Sequence, residues 1–348
     1  MPDPLRISVL DQSPIAEGGS GATALRNTID LARLADQLGY ARYWIAEHHG
    51  MPMLASTAPE VMVAEVAAVT ERIRVGSGGV MLPHYSPLKV AETFSILGGI
   101  HGDRIDLGVG RAPGSDRETM VALQRDRREL SPDDFPAQLV ELLAYLEDDF
   151  APGHPFARLA ALPGSPGRPD VWLLGSSAQS AVWAGELGLP YSIADFINPR
   201  GAENARVYRE RFEPSVRRQR PELGVCVSVV CAETDEEAHR LAASQRMAIT
   251  LLRRGRLIAV PTVERALAFL EEDGYREVPG GRRVVVGTPD AVRAGLEEVA
   301  EEYGAGELAI VTITHDHAAR RRSYELVAEA FGLGAAVPRR ASTAAGAG

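Results

Sequence analysis

Cysteine is nearly missing from this chain: 348 residues hold two, Cys226 and Cys231. They lie five apart in one apparent strand, roughly 16 Å by strand rise, and on opposite faces, so they cannot bridge each other. Lysine is scarcer still. Lys89 is the only one, a bias that coding composition explains as well as function does. Positive charge is in deficit, 37 basic against 47 acidic residues for a net charge of −10, and no basic tract interrupts it. That excludes the electrostatic footprint of a nucleic-acid binder. No apolar run reaches the roughly 18–20 residues of a membrane span, and MPDPLRISVL lacks the apolar core of a signal peptide. No membrane partner is expected, and a cytoplasmic location is the default. A GxGxxG turn after the first strand is also missing, which argues against a dinucleotide site.

What is present is a strand–helix beat. Leu5-Arg6-Ile7-Ser8-Val9-Leu10 reads as a strand, and 23–38 has helical spacing (Leu25, Ile29, Leu31, Leu34, Leu38) closed by Gly39. Strands follow at 40–47, 73–82 and 104–110, separated by helices at 59–69 and 87–100. Further strands are read at 171–174, 189–194, 224–231 and 307–313, with helices at 133–146, 178–187, 200–212, from 235, 288–303 and to 331. Eight such units predict an α/β fold with a parallel sheet closed into a (β/α)8 barrel. Residues 247–283 are irregular and charged, and read as an insertion before the last unit. One domain over 1–335 is expected, with a disordered tail at 336–348. The 59–69 helix is apolar around most of its circumference, which asks for a buried face or a partner.

The strand at 40–47 ends in Glu47-His48-His49-Gly50. In a parallel barrel, strand ends and the loops after them build the active site. The trio has three readings: a solvated loop start, a metal site, or a catalytic acid/base or cofactor-facing histidine. Adjacent strand residues point to opposite faces, so His48 and His49 cannot easily share one ion, and no metal is expected. Leu107-Gly108-Val109-Gly110-Arg111 places an arginine just past another strand. Gly175-Ser176-Ser177-Ala178-Gln179-Ser180 ends a strand and opens a helix with free N–H groups and hydroxyls. Together they fit a phosphate cradle; separately, Ser177 is a helix cap and Arg111 a surface ion pair. Gly76-Ser77-Gly78-Gly79 weakens its strand and asks for a closely approaching ligand backbone or a bulge.

These segments, in this order and joined by Val80-Met81-Leu82-Pro83, Ala112-Pro113-Gly114-Ser115-Asp116 and Val286-Gly287-Thr288-Pro289, resemble the bacterial luciferase-like flavin monooxygenases. The resemblance spans Ile7 to Phe331 and is nearest the single-polypeptide branch, related to the luciferase α subunit, that includes polyketide-tailoring enzymes. It implies a TIM barrel that takes reduced FMN from a separate reductase and uses O₂ to oxygenate a small organic substrate. His48 matches the catalytic histidine, with Glu47 orienting the flavin site. Gly78 and Gly79 fall at a non-prolyl cis peptide beneath the flavin, and Arg111, Ser176, Ser177 and Ser180 at phosphate-binding positions. The 247–283 stretch matches a mobile lid, and the helices 59–69 and 87–100 a homodimer contact that a charge at Met62 would break. Gly110 stands where luciferase has a reactive cysteine, and Asp195 where it has a tryptophan against the flavin. Both departures point away from light emission and an aldehyde substrate. Two other activities remain open: F420-dependent hydride transfer, which the same barrel family includes, and flavin binding without turnover.

Overall fold

β1 (Arg6–Asp11) is the strand on which the barrel closes, because it pairs in parallel with the second strand on one side and the last on the other. In this computed structural model, residues 4–111, 117–123, 134–159, 163, 168–198, 201–275 and 283–334 are described. The chain continues through α1 (Gly21–Leu38), β2 (Arg42–Ile45), α2 (Pro59–Ala68), β3 (Arg74–Met81), α3 (Pro87–His101) and β4 (Ile105–Gly110). Then come α4 (Arg117–Leu123), α5 (Phe135–Glu147), β5 (Asp170–Gly175), α6 (Ala178–Glu186), β6 (Tyr191–Ala194), α7 (Gly201–Glu210) and β7 (Leu223–Cys231). The last elements are α8 (Asp235–Arg253), α9 (Val263–Glu272), β8 (Val284–Gly287), α10 (Pro289–Tyr303), β9 (Glu307–Val311) and α11 (His317–Phe331).

Strands β1 to β7 pair in sequence, β7 pairs β9, and β9 returns to β1, all in parallel. The eight strands read from the sequence are therefore the eight staves of a closed (β/α)8 barrel. β8 is a ninth strand that the sequence reading missed. It adds to the far half of β7, at Ser228–Cys231, beyond the reach of β6. The 247–283 segment also holds more order than its charge suggested. Met247 and Leu251 are buried on the last turns of α8, and α9 packs its Ala266 against them. Residues 276–282 and the tail from 335 lie outside the described residues, as do 112–116 of the motif after β4.

Alternation along each strand builds two cores. Ile7, Val9, Tyr43, Ile45, Leu107 and Val109 face the helices. Leu10, Trp44, Ala46, Trp172, Cys226 and Ala309 fill the barrel. The cysteines divide the same way, Cys226 inside and Cys231 outside, each a free thiol pushed up to about 12 by burial. Glycine makes the interior possible. A Cβ on Gly76 would run into Asp106, one on Gly78 into Leu10 and Trp44, and one on Gly79 into the Gly108 carbonyl. The β3–β4 register gains a residue on β3 between Ser77 and Val80, a bulge that spans the Gly78–Gly79 peptide. That peptide is cis, as the resemblance implied.

Beneath the two tryptophans the barrel floor is ionic. Asp106 accepts from Arg42 Nη1 at 2.8 Å, Trp44 Nε1 at 2.9 Å and Arg74 Nε at 2.9 Å. Arg42 also meets Glu307 at 3.0 Å, and its guanidinium lies 4.7 Å from the Trp172 ring centre. Both oxygens of Asp170 accept from Arg218 Nη2, and Oδ2 also accepts from the Trp172 indole N–H. Removing one partner from so buried a set costs about 3–5 kcal/mol, because the other is left uncompensated.

Candidate active site

Glu47, His48 and His49 leave the top of β2 in alternation. Trp44 and Ala46 point into the barrel, and His48 continues their side. Glu47 and His49 continue the side of Tyr43 and Ile45, behind the strand. The contacts agree. Glu47 Oε2 accepts from the Met81 N–H at 2.9 Å, while Oε1 accepts from the Tyr85 hydroxyl at 2.9 Å and lies 2.8 Å from His49 Nε2. The Glu47 side chain is fully buried.

His48 is held by its backbone, whose N–H donates to the Ser56 carbonyl at 2.9 Å. Its ring is not held. Nδ1 is shielded from solvent and has no hydrogen-bond partner among the described residues. Burial, with His49 as a second cause, lowers its pKa to about 4, so the ring is neutral near pH 7. A buried polar atom without a partner costs about 1–3 kcal/mol, which a ligand at this place would relieve. Across the loop after β3, His84 has a buried Nε2 that also lacks a partner, and its ring meets His49 edge-on at 6.2 Å. Burial, then His49, lowers its pKa as well.

The serine cluster sits at the start of α6. Ser177 caps the helix and forms a reciprocal box with Ser180. Ser180 Oγ is taken up by Tyr191 at 2.8 Å and by the Ser177 carbonyl at 2.8 Å, so its hydroxyl is committed inside the protein. Ser177 is exposed and Ser176 half-buried, with the Ser176 carbonyl fixed by Asn198 at 2.8 Å. Arg111, just past β4, packs on the side of the same helix, its guanidinium 5.5 Å from the Trp183 ring centre. The arginine and the α6 N-terminus follow the ends of the neighbouring strands β4 and β5. Among the described residues, a Cβ at Gly110 would meet nothing nearer than the Leu174 carbonyl at 3.8 Å.

Asp195 goes elsewhere. Following β6 on its outward side, its Oδ1 accepts from the Tyr303 hydroxyl at 2.6 Å, and Arg283 lies 3.7 Å from Oδ2. Burial raises its pKa, against the pull of Tyr303 and Arg283. Its partners belong to α10 and its surroundings, and none is another candidate residue. Sequence reasoning missed Tyr85 and His84. Their signal was present: Pro83-His84-Tyr85 follows β3 as Glu47-His48-His49 follows β2, titratable groups at the end of an apolar strand.

The mouth is roofed on the side of β1 and β9. Val260, fully buried, joins the interior cluster, and its N–H donates to the Ile15 carbonyl at 2.8 Å. Its carbonyl accepts from the Glu17 N–H at 2.7 Å, and the Glu17 carboxylate pairs with Arg265. Among the described residues, no group of His, Cys, Asp and Glu is placed to hold a metal ion, and no helix is long and apolar enough to cross a membrane.

Comparison with known proteins agrees with this geometry. The family model described as luciferase-like monooxygenase matches residues 5–307. A luciferase-like monooxygenase of Escherichia coli (strain K12) is 40% identical over 329 residues, 92% of this chain and 96% of that protein. The N-acetyl-S-alkylcysteine monooxygenase of Bacillus subtilis (strain 168) is 36% identical over 331 residues, 94% of this chain and 98% of that one. Among solved structures, apo-MsnO8 superposes with a TM-score of 0.86 at 43% identity, covering 97% of this chain and 99% of the other. Two more distant structures share the fold alone. One is an oxygenating component of 3,6-diketocamphane monooxygenase in complex with FMN, at 20% identity and TM-score 0.72. The other is an F420-dependent secondary alcohol dehydrogenase, at 14% and 0.67. On the family match and on these full-length relatives, the chain belongs to the luciferase-like monooxygenases, and it is an enzyme of that family.

Proposed function

We propose that this enzyme takes reduced FMN from a separate reductase and uses it with O₂ to oxygenate a small organic substrate. The observation that supports the proposal is that one barrel mouth carries, at neighbouring strand ends, an arginine and a serine-capped helix N-terminus, and at another strand end a half-buried neutral histidine whose Nδ1 has no partner among the described residues. Arg111, Ser176 and Ser177 with the first N–H groups of α6 would hold the terminal phosphate. Ser180 supports that turn from within. Reduced flavin, when bound, supplies the electrons that activate oxygen. The chain's own residues supply the rest. His48, neutral near pH 7, accepts a proton at Nδ1 and returns it. The roof at Val260 and the apolar wall of Leu10, Trp44 and Ala46 keep water from the reacting atoms.

N-acetyl-S-alkylcysteines are the first substrates to try, because a relative alike along nearly its whole length is named for them. Aromatic polyketide intermediates come next. The assembly proposed is a homodimer through α2 and α3, where Val61 and Ile100 are 58% and 69% exposed. Met62 is buried in the subunit itself, so Val61, not Met62, is the position at which to place a charge. Val61→Glu with Ile100→Glu should give monomers by light scattering.

The deciding experiment is an anaerobic titration with reduced FMN. Wild type should bind, and Arg111→Ala should bind at least about tenfold more weakly, the loss of one charge-assisted contact. An unchanged dissociation constant sinks the phosphate assignment. Hydride transfer with F420, or tight flavin binding without O₂ uptake, would replace the monooxygenase reading.

A further inference from the structure

We propose that Tyr85 is a positioning residue that, through Glu47, holds His49 and the end of β3 in place behind His48, so that the Glu47–His49 pair keeps a proton beside the site. Nothing in the family match points to Tyr85; its contacts do. Glu47 is a buried carboxylate with no arginine or lysine in contact among the described residues. Its donors come from three places: His49 from the loop after β2, the Met81 N–H from the last residue of β3, and Tyr85 from the loop beyond it. Each such bond to a charged acceptor offsets part of the cost of burying the charge. Two of these bonds, from Met81 and Tyr85, tie the end of β2 to β3 and the loop after it, just past the Gly78–Gly79 bulge.

The 2.8 Å contact between His49 Nε2 and Glu47 Oε1 needs a hydrogen between the two atoms. The pair therefore carries at least one proton, while the His48 ring, on the opposite face, is neutral near pH 7. A hydrogen-bonded pair that holds a proton beside an uncharged imidazole divides donor from acceptor. The other titratable groups facing the pair are few. Glu60, in the first turn of α2, is raised by burial and by Glu47 as a like charge. His84 meets His49 ring edge to ring face. Tyr85 is held protonated by burial and by the Glu47 carboxylate, so it is a donor throughout the working range.

Tyr85→Phe removes the hydroxyl and keeps the ring. Glu47 Oε1 then has His49 alone, and the carboxylate takes up a proton more readily. In turnover, which rests on the monooxygenase reading, the acid limb of the kcat profile should move up by about one pH unit, with reduced-FMN affinity within about twofold of wild type. A lowered kcat with the limb in place would make Tyr85 a packing residue and overturn the proposal. A second arm needs no flavin. Ring ¹⁵N–¹H spectra of the protein without cofactor should show His49 with a slowly exchanging Nε2 proton, shifted in Tyr85→Phe and lost as a fixed tautomer in Glu47→Gln. Identical His49 signals in wild type and Tyr85→Phe overturn the proposal whatever the enzyme's substrate. Shifted signals without turnover on reduced FMN support the clamp and count against the functional reading instead.

Discussion

At the floor of the barrel Asp106 receives donors from two arginines and a tryptophan, and neither it nor Glu307 nor Asp170 has a buried oxygen left over. At the rim, His48 and His84 each carry a buried polar atom with no partner among the described residues. Both ends are built from strand residues, polar groups and the same alternation. They differ in what their polar groups are for. A satisfied network specifies one packing, whereas unpartnered groups lower stability and wait for a ligand. A single barrel can hold both because Trp44 and Trp172, edge to face at 5.3 Å, separate them with an apolar layer.

The largest effect should come from breaking the floor. Asp106→Ala leaves Arg42 and Arg74 facing each other in a buried place and should cost about 3–5 kcal/mol of folding stability. Urea unfolding checks it. If the variant does not accumulate, Glu307→Gln should show a smaller loss in the same direction. A floor variant that unfolds like wild type would mean that water reaches the network, and the contrast with the rim would fail.

The next effect is on chemistry, not stability. His48→Ala should lower product formation by roughly 10² or more while reduced-FMN affinity stays within a few-fold. Its melting temperature should not fall, since the ring it removes has an unpartnered nitrogen. A large drop in melting temperature with little change in rate would place His48 with the floor, as structure.

The sequence showed the staves and hid the contacts between them. All eight barrel strands were legible because each is a short apolar run with turn residues at its ends. β8 was not, since Val284-Val285-Val286 sits after a charged stretch and pairs only with the end of β7. α9 was masked by its acidic residues, although Val263 and Ala266 keep one face buried. At the site, Glu47-His48-His49 announced itself by chemistry at a strand end, and alternation correctly set His48 apart from its neighbours. Glycines 76, 78 and 79 read as a close ligand backbone, a strained peptide or a bulge; a bulge is there, and the nearest atoms are protein, in Asp106, Leu10, Trp44 and Gly108. Tyr85 stood in view as a titratable group after β3, but its role depends on the distance between two loops, which no local pattern records. Asp195 was placed by resemblance, and only the fold showed it turned toward Tyr303.

The smallest effect sharpens the comparison by pH. His48 has its pKa lowered from 6.5 to about 4 in the folded chain, mainly by burial. Between those values the unfolded chain binds a proton at His48 that the folded chain refuses. Stability is therefore full above about 6.5, falls as pH drops through that value, and the loss is complete near 4. At about pH 5 the loss attributable to this ring is about 2 kcal/mol relative to pH 7.5. Carboxylates held down by arginines, such as Asp11 beside Arg320 and Glu222 beside Arg6 and Arg218, lose their contribution at lower pH, and those raised by burial, such as Glu60 and Asp195, are common to wild type and a His48 variant and drop out of the difference between them. His84, lowered for the same reason, adds in the same direction. The measurement is urea unfolding of wild type and His48→Leu at both pH values. The leucine variant should lose less on acidification by about that amount. An equal loss in both proteins would mean that His48 protonates freely in the folded state, and that the rim is as well solvated as an ordinary loop.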